Sequence, residues 1–186
     1  MSPIPDFDHN HVLPPHLGNP TLKSDLSPYK CSILELCTRF STSKERIDIL
    51  LGFVSFRMKM TEQGIINGFQ WLDGSFIENI EKSEARYPND LDLVTFYGGL
   101  SLDEQLRVKA DFPEFANPLL AKTNYHLDHY PVDYMFRPDF TVEATRYWIQ
   151  LFTHNRNNVW KGILHLPINT WDEDLEALDY LKGVII

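Results

Sequence analysis

The chain reads as an α+β domain in which helices and strands mix, and three observations predict it. Four short runs, 65–72, 91–97, 131–137 and 160–167, are rich in β-branched and aromatic residues and are bounded by turn formers, as strands are. The segments between them carry apolar residues at helical spacing and open on Ser or Thr. The 186 residues are 43% hydrophobic and 13% aromatic, which suffices for one domain with a real core.

Residues 1–26, rich in Pro, His and Asn and without periodicity, read as an extended arm gripping the domain through Val12, Leu13 and Leu17. One domain, 27–186, follows: a helical part to 64, a core from 65 to 140 and a C-terminal part from 141. Ser27-Pro28 reads as an N-cap with Pro at the first helical position, opening a helix to about Phe40 that buries Ile33, Leu34, Leu36 and Cys37. Thr42 with Glu45 is a capping box for a long helix to about Gln63, with Ile47, Leu50, Leu51, Val54 and Met58 on one face and Gly64 as its stop. Ile65–Leu72 is the first strand. Residues 76–85 are polar and start as a helix. Leu91–Tyr97 is the second strand, broken by Gly98-Gly99. Ser101 and Glu104 cap a helix or helix pair to about Lys122. Pro131–Arg137 is the third strand, Thr141 opens a helix to about His154, and Trp160–Pro167 is a further strand. Thr170 and Glu173 cap a last helix that ends at Gly183.

Composition excludes some functions. With 26 acidic and 17 basic residues the net charge is −9, so nonspecific DNA binding, which phosphate neutralisation drives, is not expected. There is no basic start with an apolar run behind it, and no apolar stretch nears the roughly twenty residues that span a membrane. A soluble, cytoplasmic protein with no membrane partner is expected. Cys31 and Cys37 match neither a zinc knuckle nor a CxxC pair and read as two reduced core thiols on one helix. His9, His11 and His16 lie close in sequence, but their spacing is too unspecific for a metal site.

The chemistry concentrates between Gln70 and Tyr97. A strand ends in Leu72-Asp73-Gly74-Ser75. Gly74 lets a bulky anion approach the backbone, Ser75 adds a hydroxyl donor, and a helix starting at Phe76 would aim its N–H groups at the same place. Asp90 and Asp92 follow at the head of the next strand. At positions i and i+2 they share a face, where like charges repel unless a cation lies between them. Hard oxygen ligands held in this way suit Mg²⁺ with a substrate phosphate. Asp133, alone in the apolar run 131–137, is costly to bury unpaired and is the expected third ligand. Three carboxylates could hold two metals for in-line displacement at phosphorus, Asp90 and Asp92 bridging both and Asp133 touching the nucleophile-side ion.

These residues resemble the polymerase-β-type nucleotidyltransferase superfamily. More narrowly, "LPPH" at 13–16, "DGSF" at 73–76 and "PNDLD" at 88–92 resemble a little-characterised bacterial nucleotidyltransferase-like family. The likeness runs from about Leu13 to Arg137. It implies a small mixed sheet with helices on one side, Mg²⁺ or Mn²⁺, and a nucleoside triphosphate such as ATP. Small members of the superfamily often belong to toxin–antitoxin or phage-defence systems, where they attach nucleotides to a protein or an RNA. One departure is the spacer of fourteen residues, 76–89, between Ser75 and Asp90, which exceeds the family's usual length. It carries Lys82 and Arg86, opposed by Glu78, Glu81 and Glu84, and a solvated face is its simplest reading.

The expectation is therefore a Mg²⁺-dependent nucleotidyltransferase. Asp90, Asp92 and Asp133 are its catalytic and metal-binding residues. Gly74, Ser75 and Lys161 are its nucleotide-binding residues. The acceptor is a hydroxyl of a protein, such as the product of a neighbouring gene, or of an RNA. The alternative is a catalytically silent module on the same scaffold, acting as antitoxin, sensor or recruiting subunit. Arg156 is a further candidate for triphosphate or RNA contact. Trp148, Trp160, Trp171 and Tyr147 read as core or partner-facing aromatics rather than base-stacking groups, and Phe96 and Tyr97 as core. His126 and His129 receive no role.

Overall fold

The structure is a computed structural model that describes residues 4–184, so the outermost residues of the arm and of the domain lie outside it. The fold is α+β. Seven helices accompany a five-stranded mixed sheet in the described residues. The strands are β1 (Tyr29–Lys30), β2 (Gly68–Asp73), β3 (Leu91–Tyr97), β4 (Leu127–Asp133) and β5 (Leu164–Pro167), in the order β1-β5-β2-β3-β4. β2 runs antiparallel to both neighbours, β3 and β5, whereas β3 and β4 are parallel, as are β1 and β5.

The helices are α1 (Ile33–Phe40), α2 (Lys44–Glu62), α3 (Ile80–Ser83), α4 (Leu102–Asp111), α5 (Pro118–Tyr125), α6 (Pro138–Phe152) and α7 (Trp171–Gly183). No helix among the described residues is long and apolar enough to cross a membrane. Helices α1, α2, α5 and α7 pack against each other over one face of the sheet. Successive strand residues point to opposite faces. Gln70, Leu72, Leu93, Thr95 and His129 face these helices: Gln70 accepts from Arg57 of α2, and the His129 ring lies 4.7 Å from that of Phe56. Phe69, Trp71, Phe96 and His165 stack on the other face, ring centres 4.7–5.9 Å apart. Gly52 lets α2 touch α5, since a Cβ there would lie 2.2 Å from the Tyr125 carbonyl oxygen.

Several boundaries differ from the sequence expectation. The first helix starts at Ile33, not Pro28. Ser32 and Glu35 form the capping box, while Tyr29 and Lys30 are used by the sheet, Tyr29 N–H donating to the Ile163 carbonyl. Cys31 therefore precedes α1 and only Cys37 lies on it. Both are buried free thiols, and burial pushes the Cys37 thiol up to about 12. Ser43, not Thr42, caps α2. Its buried face includes Arg46 and Arg57 beside Leu50, Phe53 and Val54. β4 begins at Leu127 and ends at Asp133. Pro131 sits inside it, tolerated because β4 is an edge strand with one unpaired side. α6 opens on Pro138 rather than Thr141, and the last strand starts at Leu164 rather than Trp160. Thr170 precedes α7 but makes no capping box, because its hydroxyl accepts a 2.6 Å bond from Arg57.

The arm is laid on the domain. Val12 and Leu13 are buried, whereas Leu17 is exposed. Gly162 N–H donates to the Leu13 carbonyl, Tyr29 Oη to that of Pro14, and Asn79 N–H to that of His11. The arm thus steadies the chain on either side of the cleft described next.

Candidate functional site

At one end of the sheet three aspartates stand abreast. Asp73 ends β2, Asp92 lies beside it on β3, and Asp128 lies beside Asp92 on β4. Paired residues on neighbouring strands project to the same side at spacings of about 5 Å, so the three carboxylates share the face away from α2. Asp90, just ahead of β3, joins them and is held by Lys122 of α5 at 2.5 Å. All four line a cleft of about 530 Å³, together with Gly74, Ser75, Glu78 and residues 154–157.

The turn after β2 is built for this crowding. Gly74 has φ +81°, and a Cβ there would lie 1.8 Å from Asp92 Oδ2. Only glycine satisfies both demands. Ser75 then opens a three-residue 3-10 turn, followed by the four-residue α3. The expected helix at Phe76, with its dipole on a phosphate, does not exist. Arg46 of α2 holds the segment instead. It donates to the carbonyls of Phe76 and Glu78 and pairs with Glu81 at 2.6 Å. This fixes Glu78 inside the cleft wall, where it meets Lys161.

Lys161 reaches the cleft fully buried, and its ammonium is already engaged. It pairs with Glu78, lies 2.8 Å from Asp73 Oδ1 and donates to the Gly74 carbonyl at 3.3 Å. It therefore anchors the turn rather than offering a free cation. Burial acts to lower its pKa, but Asp73 and Glu78 outweigh that and hold it above the ordinary lysine value. Asp73 Oδ1 has the Lys161 ammonium as its ion-pair partner. Arg86 is occupied by Glu84, while Arg156 lines the cleft with no ion-pair partner among the described residues.

The electrostatics follow from charge density. Burial first, then repulsion from Asp90, Asp73 and Asp128, pushes the Asp92 carboxyl up to about 7, against the pull of Lys161. Burial likewise lifts Asp73 to about 6, opposed by Lys161 and the Gly74 N–H. As they stand, no three His, Cys, Asp or Glu side chains among the described residues are gathered closely enough to grip a metal ion. The donors that line the cleft are nevertheless of the kind a hard divalent cation takes. The carboxylates offer oxygen alone, and burial with the neighbouring carboxylates makes the full negative charge on Asp92 costly in the absence of a cation.

Of the residues that sequence reasoning selected, the structure brings together Gly74, Ser75, Asp90, Asp92 and Lys161. It does not bring Asp133. That residue pairs with Tyr97 at the far end of β3, five residues from Asp128, or about 16 Å along the strand. The odd offset also turns it to the helix-covered face. There it accepts from the Met135 N–H as a strand-end turn residue. Asp128 takes the place foreseen for Asp133. The signal for it was the alternation Leu127-Asp128-His129-Tyr130, obscured by starting the strand at Pro131. His126 caps α5 with φ +58°, and His129 is buried in the core, where burial drops its pKa to about 3. Asp73 was given no role although it opens the "DGSF" motif, and Glu78 and Lys122 were missed because nothing local separates them from ordinary acidic and basic surface residues.

A model of a family of unknown function, DUF6932, matches residues 5–167. No curated protein and no solved structure matches the chain. The matched span takes in most of the arm, the whole sheet and every charged residue of the acidic cleft, and the chain belongs to the DUF6932 family.

Proposed function

We propose that the cleft transfers a nucleoside monophosphate from a nucleoside triphosphate, ATP among them, to a hydroxyl of a protein or RNA acceptor. The observation that carries this reading is the register that sets Asp73, Asp92 and Asp128 side by side, directly against the Gly74-Ser75 turn. Fold support needs no such arrangement, and it costs stability, since like charges are pressed together under burial.

Asp90, Asp92 and Asp128 would hold Mg²⁺ or Mn²⁺, with Asp73 behind them. When bound, the ion supplies the positive charge that neutralises the carboxylates and the triphosphate together. The Gly74 backbone, bare of a Cβ, leaves room for the Asp92 carboxylate to sit against the turn, and Ser75 Oγ on the cleft wall would donate to phosphate oxygens. Arg156 faces the same oxygens from across the cleft. Lys161, through Glu78 and the Gly74 carbonyl, keeps the turn in place. The hydroxyl oxygen attacks the α-phosphorus, the bond to pyrophosphate breaks, and the proton passes to a carboxylate of the cleft. A role in a toxin–antitoxin or defence system follows only from the likeness of "DGSF" and "PNDLD".

The silent-module reading has one observation in its favour: no ready-made metal cage stands in the cleft. The two readings separate in a transfer assay with each α-labelled nucleoside triphosphate and Mg²⁺, supplied with the neighbouring gene product and bulk tRNA. Label on a macromolecule, lost in Asp92→Asn and Asp128→Asn but retained in Asp133→Asn, supports the transferase. Label retained in Asp92→Asn would sink it, and absence of label under every condition favours the module.

A further inference from the structure

Beside the acidic cleft lies a second recess of about 250 Å³, walled by Tyr130 of β4 and by Tyr147, Trp148, Leu151 and Phe152 of α6. Asp92, Asp128, Leu151 and Phe152 line both spaces, so the two adjoin at the carboxylate row. Trp148 and Phe152 are buried and pack at 5.1 Å. Tyr130 and Tyr147 each lie 5.0 Å from Trp148, and both are exposed, as is Leu151. Two tyrosine rings are thus left facing water beside a charged cleft, within reach of a ligand held there.

From this we infer that the recess takes the nucleobase of a nucleotide whose phosphates occupy the acidic cleft. The inference rests on reading that cleft as a cation–triphosphate site. Size supports it. Small-molecule sites usually measure roughly 300–1,000 Å³. The recess alone falls short of a whole ligand but accommodates a ring, and with the cleft it falls within that range. Chemistry supports it too. A planar ring stacks on Tyr and Trp whatever its edge pattern. The carboxylates between the spaces accept hydrogen bonds from ribose hydroxyls or an amino edge and repel an anionic ring. Tyr147 and Trp148, which the sequence assigned to core or partner contact, thereby gain a ligand.

The test is equilibrium binding to the full chain in Mg²⁺, comparing each of the four nucleoside triphosphates with inorganic tripolyphosphate and following Trp fluorescence. The ring proposal expects at least one nucleotide to bind about tenfold or more tightly than tripolyphosphate and to quench Trp emission where tripolyphosphate does not. In Tyr130→Leu/Tyr147→Leu that advantage collapses while tripolyphosphate binding is unchanged. Should the double variant melt early, Tyr147→Leu alone, at a half-exposed position, reads the same loss. Nucleotides binding no better than tripolyphosphate, or an advantage that survives the tyrosine variants, overturns the recess and leaves the cleft reading standing. If neither tripolyphosphate nor any nucleotide binds, the cleft reading falls and this proposal falls with it.

Discussion

A carboxylate buried beside three others keeps its proton to a pH at which a solvated aspartate has long lost it, and Asp92 is held in this way. Between about pH 4 and pH 7 the folded chain retains a proton there that the unfolded chain has released. Its stability therefore falls as pH rises through that window and levels off above it. Asp92→Asn removes the effect. In EDTA, its stability relative to the parent should grow from pH 4 to pH 8 and reach about 1–3 kcal/mol, as read by urea denaturation. An equal difference at both pH values would contradict this. Gly74→Ala tests the same crowding from the other side. The new Cβ meets Asp92 Oδ2, and the residue must hold φ +81°. A loss of about 1–3 kcal/mol is expected, together with loss of nucleotide transfer, because the turn must move away from the carboxylate row.

At the scale of elements, buried arginines tie the helices to the sheet. Arg57 of α2 donates to Asp174 of α7 at 2.6 Å, to Gln70 of β2 at 2.7 Å and to Thr170 at 2.6 Å, with hardly any solvent around the pair. Asp174→Ala leaves a buried guanidinium without its counter-charge and should cost about 3–5 kcal/mol in chemical denaturation. Arg57→Met/Asp174→Leu should recover much of that loss, because the expense lies in stranding one charge. If the double variant is no better than the single, the pair contributes by attraction and not merely by avoiding an unpaired ion. Arg46 plays the corresponding part at the cleft, carrying the 76–81 segment on α2. That role accounts for much of the long spacer between Ser75 and Asp90, whose glutamates are only partly the solvated face expected of them: Glu78 and Glu81 have specific partners.

Across the whole molecule the charge balance sets the ligand. The chain carries −9 overall and gathers six acids around one cleft that Arg86, Lys122, Arg156 and Lys161 only partly offset. An anionic nucleotide should therefore bind weakly by itself and well with a divalent cation. At saturation, Mg²⁺ with the preferred nucleoside triphosphate should raise the melting temperature by about 5–10 °C through ligand linkage, with little effect from nucleotide in EDTA. Asp128→Asn should abolish the rise and Asp133→Asn should not. An identical rise in both variants would remove Asp128 from the site.

Sequence alone determined what depends on near neighbours in the chain. The α+β class, the span of β3, the Ser101–Glu104 cap, the stop at Gly64, the glycine turn and the Asp90–Asp92 pair are all written within a few residues of themselves. Tertiary structure decided what depends on strands meeting. Asp128 rather than Asp133 enters the cleft because β4 pairs with β3 in one register, and an offset of five residues along a strand changes both its end and its face. Lys161 is bound rather than free because Glu78 and Asp73, over eighty residues earlier, are folded onto it. The short β1 exists only because β5 offers it a partner, and two residues carry too little pattern to announce a strand by themselves.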